Sequence, residues 1–196
     1  KLTVTRYQSH AGIHWRRVQV LPAGQREKEL EKLVEVFEQA EKDLVPGDGD
    51  PLDPFSRLLW LAGKLMLTAY SSERLLDICP NFTEWCAELK QRAPEYERSH
   101  PSAPAGAIAV EVDLLEHLQQ GDLTDNIEAV VGRLRRGLRR GASQRHVASI
   151  FDYVELLQVL AEGATNKSKR FHSQASALAA IVEVLRAWHS GKTDQA

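Results

Sequence analysis

Six arginines crowd residues 132–146: Arg133, Arg135, Arg136, Arg139, Arg140 and Arg145, with no acid between them. The whole chain has a formal net charge of −2, so this is local clustering and not a globally basic composition. Arginine's planar fork donates two parallel hydrogen bonds, which suits phosphate and carboxylate alike. The chemistry on offer is the binding of a polyanion or of an acidic protein surface. A nucleic-acid backbone tracked by several of these side chains would release counterions and bind with a steep salt dependence. The competing reading pairs the arginines with acids on neighbouring helices or on a protein partner, and 27 Asp and Glu are there to supply them.

Other chemistries lack their residues. The histidines His10, His14, His100, His117, His146, His172 and His189 are scattered, with no HExxH and no pair of Glu-x-x-His motifs. Asp48, Asp50 and Asp53 fall in DGDPLD, where prolines and a missing twelfth-position glutamate break a calcium loop. There is no P-loop, dinucleotide fingerprint or GxSxG. No metal and no cofactor is expected. An enzyme with an all-helical apolar pocket stays as a third reading, because such pockets leave little trace in sequence. Cys79 and Cys86 are the only cysteines, too few for a disulfide framework, which points to a reducing, intracellular setting, cytoplasmic or nuclear. No apolar run reaches the roughly 18 residues of a membrane span, so no membrane partner is expected. The first residue is Lys1, not Met, which is read as a fragment of something longer.

The elements that position the arginines are legible from apolar spacing. Ile127, Val130, Val131, Leu134 and Leu138 recur every three or four residues, a stripe about 120° wide on one helix. The arginines fall outside it and are expected to face solvent. Val147, Ile150, Phe151, Val154, Leu157 and Leu160 repeat the plan on a second helix, with Gly141 and Ser143 between. Together they are expected to form a helical hairpin, apolar inside and arginine-bearing outside.

Upstream, residues 2–21 alternate in short runs rich in β-branched and aromatic residues about Gly12, which predicts a β-hairpin appendage. Trp15 has no packing partner in that hairpin and is the candidate exposed anchor for a protein partner. A helix follows over residues 25–44. Asp53 and Pro54 then make an N-cap and first-turn proline for a helix over 54–70 that is apolar nearly all round, the centre of a bundle. A short helix follows it, and Asn81 with Glu84 makes a capping box for another. Residues 94–106, with Pro94, Pro101 and Pro104, read as a linker or loop. Helices at 107–120 and 168–189 complete the set, and 191–196 are a frayed tail.

The expectation is an all-α bundle of six or seven helices with an N-terminal β-hairpin at 1–21. Its helical parts lie at 22–93 and 107–190. At 43% hydrophobic and 27% charged, the chain has an ordinary globular composition with a core to bury. Well-formed caps and stripes without a catalytic constellation favour a protein–protein interaction or scaffolding domain, with a protein partner or self-association. Nucleic-acid binding through residues 127–140 is the alternative.

Overall fold

The computed structural model describes residues 4–43, 53–71, 74–99, 107–139, 144–164 and 169–190. Among them are nine helices and no strand. They are α1 (Val4–Val20), α2 (Ala23–Asp43), α3 (Pro54–Tyr70), α4 (Leu75–Ile78), α5 (Phe82–Ser99), α6 (Ala107–Gln120), α7 (Leu123–Arg139), α8 (Gln144–Gly163) and α9 (Lys169–His189). The all-α expectation holds. The count of six or seven does not: α1 is a helix where a hairpin was expected, and the short helix expected after residue 70 is present as the single-turn α4.

The N-terminal β-hairpin is the main correction. Residues 4–20 are one helix, and the reason lies in a spacing that the short alternating runs obscured. Tyr7, Ala11, Trp15 and Val18 follow one another at intervals of four, four and three, and all are buried. Ile13 and Val20, two of the β-branched residues in those alternating runs, are 55% and 81% exposed. A β-favourable local composition has yielded to burial of one helical stripe against α2 and α8. Trp15 therefore has a home: it is 9% exposed and stacks on Tyr153 of α8, ring centroids 6.0 Å apart and planes at 6°. The exposure that would make it a surface anchor is absent.

Two further boundaries move. α5 passes through Pro94 and ends at Ser99, so the linker expected from residue 94 is helix for its first six residues. A proline there forfeits one backbone bond. Tyr96, packed against the core, holds the last turn, and Ser99 Oγ donates to the carbonyls of Glu95 and Tyr96. Residues 100–106 lie outside the described residues, as do 44–52 and the expected tail, 191–196.

The helix α3 does what its composition demands. It packs against α2, α4, α5, α6 and α8, and its start is fixed by Asp53, whose Oδ1 accepts from the amides of Phe55 at 3.0 Å and Ser56 at 3.1 Å. On its flank the buried Arg57 lies over the rings of Trp60 and Trp85, 5.0 and 5.1 Å from their centroids, and pairs with Glu41. A single cluster of buried apolar residues draws on every helix from α1 to α9, so the parts at 22–93 and 107–190 share one core.

The C-terminal end of α8 is locked to the N-terminal half. Arg26 Nη1 donates to the carbonyl of Val159 at 2.8 Å and Tyr70 Oη to that of Leu160 at 2.8 Å. Both side chains add a second donor to a last-turn carbonyl; that of Leu160 also accepts from the Ala164 amide at 3.0 Å. A Cβ at Gly163 would crowd Arg26 Nη1 and the Tyr70 hydroxyl, so a larger residue there would push these two side-chain ends off their carbonyls. The expected pairing of α7 with α8 in a hairpin is not the main packing of either helix. Among the described residues α8 packs chiefly on α9, α3 and α1, while α7 packs on α6 and α9.

Candidate functional site

Two basic helices present themselves, and the structure treats them differently. On α7, Arg133 is about a third exposed, with Nε 3.0 Å from Asp113 Oδ2 of α6. The other oxygen of Asp113 takes Lys90 Nζ of α5 at 2.6 Å, and Lys90 also reaches Glu116 at 2.5 Å. Burial by itself lowers the Lys90 ammonium, but its bonds to Asp113 and Glu116 outweigh burial and raise it above its ordinary value. The Arg133 contact is a charge pairing without hydrogen-bond geometry at Nε. Arg135 is partly buried and Arg136 exposed, and neither has an acidic partner among the described residues. The side chains of Arg139 and Arg145, and residue Arg140 altogether, lie outside the described residues.

On α1 the basic residues are Arg6, Arg16 and Arg17, and the helix has no acid at all. Its inner side joins α2 through a buried carboxylate that sequence reading passed over. Glu29, 3% exposed, lies 2.7 Å from His14 Nδ1, 3.2 Å from Arg17 Nε and 3.4 Å from Lys32 Nζ. Burial alone would raise this carboxyl; hydrogen bonds with His14 and Lys32 and the charge of Arg17 hold it below the usual range instead. At the far end of the pair, Tyr7 donates its hydroxyl to Asp43. The outer side of α1 carries Ile13 and Val20 in the open.

Hollows flank α1 on both sides. One of about 530 Å³ lies against α2 and is lined in part by Tyr7, His10 and His14. The other, about 590 Å³, is bounded by α1, α3, α5 and α8, with Trp15, Tyr96 and Tyr153 among its walls.

Behind Tyr153 is a second polar group that sequence reading missed. Glu111 of α6 is 3% exposed with no hydrogen-bond partner among the described residues. Burial first, then the charge of Glu97, pushes its carboxyl up to about 8. The Tyr153 hydroxyl is buried without a hydrogen-bond partner, and burial together with Glu111 pushes it well above the ordinary phenol value. The signal was present in sequence: Glu111 occupies the apolar stripe of Ile108, Leu115 and Leu118, as Glu29 does that of Leu33 and Ala40.

Both thiols are free and buried, and burial pushes Cys79 up to about 11 and Cys86 to about 12, which removes them as nucleophiles at neutral pH. Among the described residues no three His, Cys, Asp or Glu side chains converge as metal ligands. No described helix is long and apolar enough to cross a membrane. No protein-family model matches the chain, and neither curated proteins nor solved structures give a match.

Proposed function

We propose that the protein is a helical protein-interaction domain whose docking surface is the outer face of α1. The observation that carries this reading is the pairing of Ile13 and Val20. Of the large hydrophobics left exposed among the described residues, Ile13, Val20 and Leu76, two share one line on one helix. They stand seven residues apart, which is about 20° around the helix and about 10 Å along it. Arg6 continues that line, and Arg16 and Arg17 flank it, with no acid on the helix. Apolar anchors framed by one sign of charge fit a partner segment that is apolar at two positions and acidic around them. An intracellular setting belongs to the same proposal, supported by two free thiols in place of a disulfide.

The test uses Ile13→Asp with Val20→Asp. The parent and this double variant are expressed in the native host, and the associated proteins are compared by quantitative mass spectrometry. The variant is expected to melt with the parent, because both side chains are exposed, and to lose a partner whose contact segment is acidic. Retention of every partner by a folded double variant would remove the reading.

A second reading, nucleic-acid binding through α7, has one observation in its favour: Arg135 and Arg136 lack acidic partners. It requires that binding to generic RNA or DNA weaken with salt at about −0.7 to −0.9 in log–log slope per phosphate contacted. Charge reversal at Arg135 and Arg136 would abolish that binding without lowering the melting temperature.

A further inference from the structure

His10 and His14 stand one turn apart on α1, and both line the hollow against α2. A spacing of four residues puts two imidazoles on one face of a helix, where they can share one ion. Their ring centroids are 5.0 Å apart, with planes at 47°. A metal–nitrogen bond of about 2.0–2.1 Å places each ring centre about 3.2 Å from the ion, so two rings bound at about 90–109° stand about 4.5–5.2 Å apart. The pair already has that separation. We propose that His10 and His14 bind a divalent transition-metal ion of imidazole preference, zinc or copper(II), with water completing its coordination.

Two further observations point to an ion and not to ordinary ring packing. The first is the buried Glu29, whose Oε1 lies 2.7 Å from His14 Nδ1. Arg17 and Lys32 also face this carboxylate, which is therefore ionised and can only accept hydrogen bonds. Nδ1 must carry the proton, so in the neutral ring the lone pair is on Nε2. A carboxylate behind a ligand histidine fixes its tautomer and ring orientation and raises the basicity of the free nitrogen. The second is that this nitrogen has no other use. His14 is 8% exposed, yet its Nε2 has no hydrogen-bond partner among the described residues. His10 is exposed and likewise without a hydrogen bond among them, so its ring is free to turn a nitrogen to the ion. The other charges on the hollow balance, Lys32 and Lys42 against Glu35 and Glu38. Among the described residues no third His, Cys, Asp or Glu joins the pair, which leaves the remaining positions to water. Neither Ile13 nor Val20 is among the walls of this hollow, so the site is separate from the docking line.

Zinc chloride and copper(II) chloride, titrated into the full chain, are the probes. Calorimetry gives affinity and stoichiometry, and NMR follows the histidine rings as zinc is added. The tightest zinc ion is expected to shift the His10 and His14 rings first, and copper(II) should bind there more tightly than zinc. His10→Gln, at an exposed site, should melt with the parent and weaken this ion about a hundredfold, because one imidazole alone loses the chelate. Glu29→Gln, acting through His14, should weaken it about 10–100-fold. Should that variant fail to fold, His10→Gln still decides the matter. His172→Gln, at an exposed position of α9, should change nothing, and neither should Ile13→Asp with Val20→Asp. Rings of His117, His172 and His189 that shift together with His10 would mean scattered surface binding. That result, zinc binding weaker than about 1 mM, or a tightest ion indifferent to His10→Gln overturns the proposal.

Discussion

The helices α1 and α7 are both basic, and their neighbours put the shared charge to different uses. On α7, Arg133 is drawn into a chain of charges, Glu116, Lys90, Asp113 and Arg133, that ties α5, α6 and α7 together. On α1, Arg17 meets a buried carboxylate, while Arg6 and Arg16 have no acidic partner among the described residues and lie beside the exposed Ile13 and Val20. An arginine count does not separate these cases. What separates them is the company: acid within reach on one side, uncovered apolar surface on the other. The same lesson holds for the two buried glutamates. Glu29 and Glu111 are equally buried at 3% exposed, yet one titrates below its ordinary value and the other up to about 8, because only Glu29 has cations and a histidine against it.

The comparison is most severely tested at Trp15. As a core residue it should cost roughly 3–5 kcal/mol on truncation to Ala, measured by denaturant unfolding. Arg136→Ala, at an exposed site with no acidic partner among the described residues, should stay within about 0.5 kcal/mol. Similar values for the two would mean that α1 is not packed as described.

Glu111 gives the next largest effect, and it is a function of pH. Its folded carboxyl titrates at about 8, well above a carboxyl in the unfolded chain. Between roughly pH 4.5 and 8 the native state thus binds the extra proton. Stability should fall as pH rises through that window, by about 1.4 kcal/mol per unit, and the contribution is complete only below it. Glu111→Gln should flatten this slope and stabilise the protein at pH 8. Glu29 has the opposite sign: its contribution is present above the unfolded carboxyl value and is lost as pH falls through its depressed folded value. A variant Glu29→Gln that kept the parent's acid sensitivity would erase the contrast between the two glutamates.

The smallest expected effect is at Arg133. As a part-exposed ion pair its coupling to Asp113 should be about 0.5–1 kcal/mol in a double-mutant cycle, with none between Asp113 and Arg136. Coupling of both arginines to Asp113 would show that the basic face of α7 is wholly structural.

Much of the fold was legible because apolar spacing and caps agree. Asp53 and Pro54 fix the start of α3 at the residue expected, and Val112, Leu114, Leu115 and Leu118, all buried, outline α6. The first 20 residues were misread because their β-branched and aromatic residues alternate over two or three positions at a time. The decisive stripe, Tyr7, Ala11, Trp15 and Val18, shows only over twelve residues. The arginines were conspicuous, but which of them meets acid depends on Asp113, on another helix, and sequence does not print that contact. The α1 face stayed hidden behind the strand reading, since Ile13 and Val20 look like packing residues until the helix turns them outward.

The most direct measurement places a photo-cross-linking amino acid at Ile13 and, in a separate protein, at Arg136, in the native host. With α1 as the docking helix, position 13 should cross-link a protein, mapped by mass spectrometry to an acidic segment with apolar residues, and Val20→Asp in the same chain should remove that product. Cross-links to nucleic acid from position 136, with none to protein from position 13, would contradict the account.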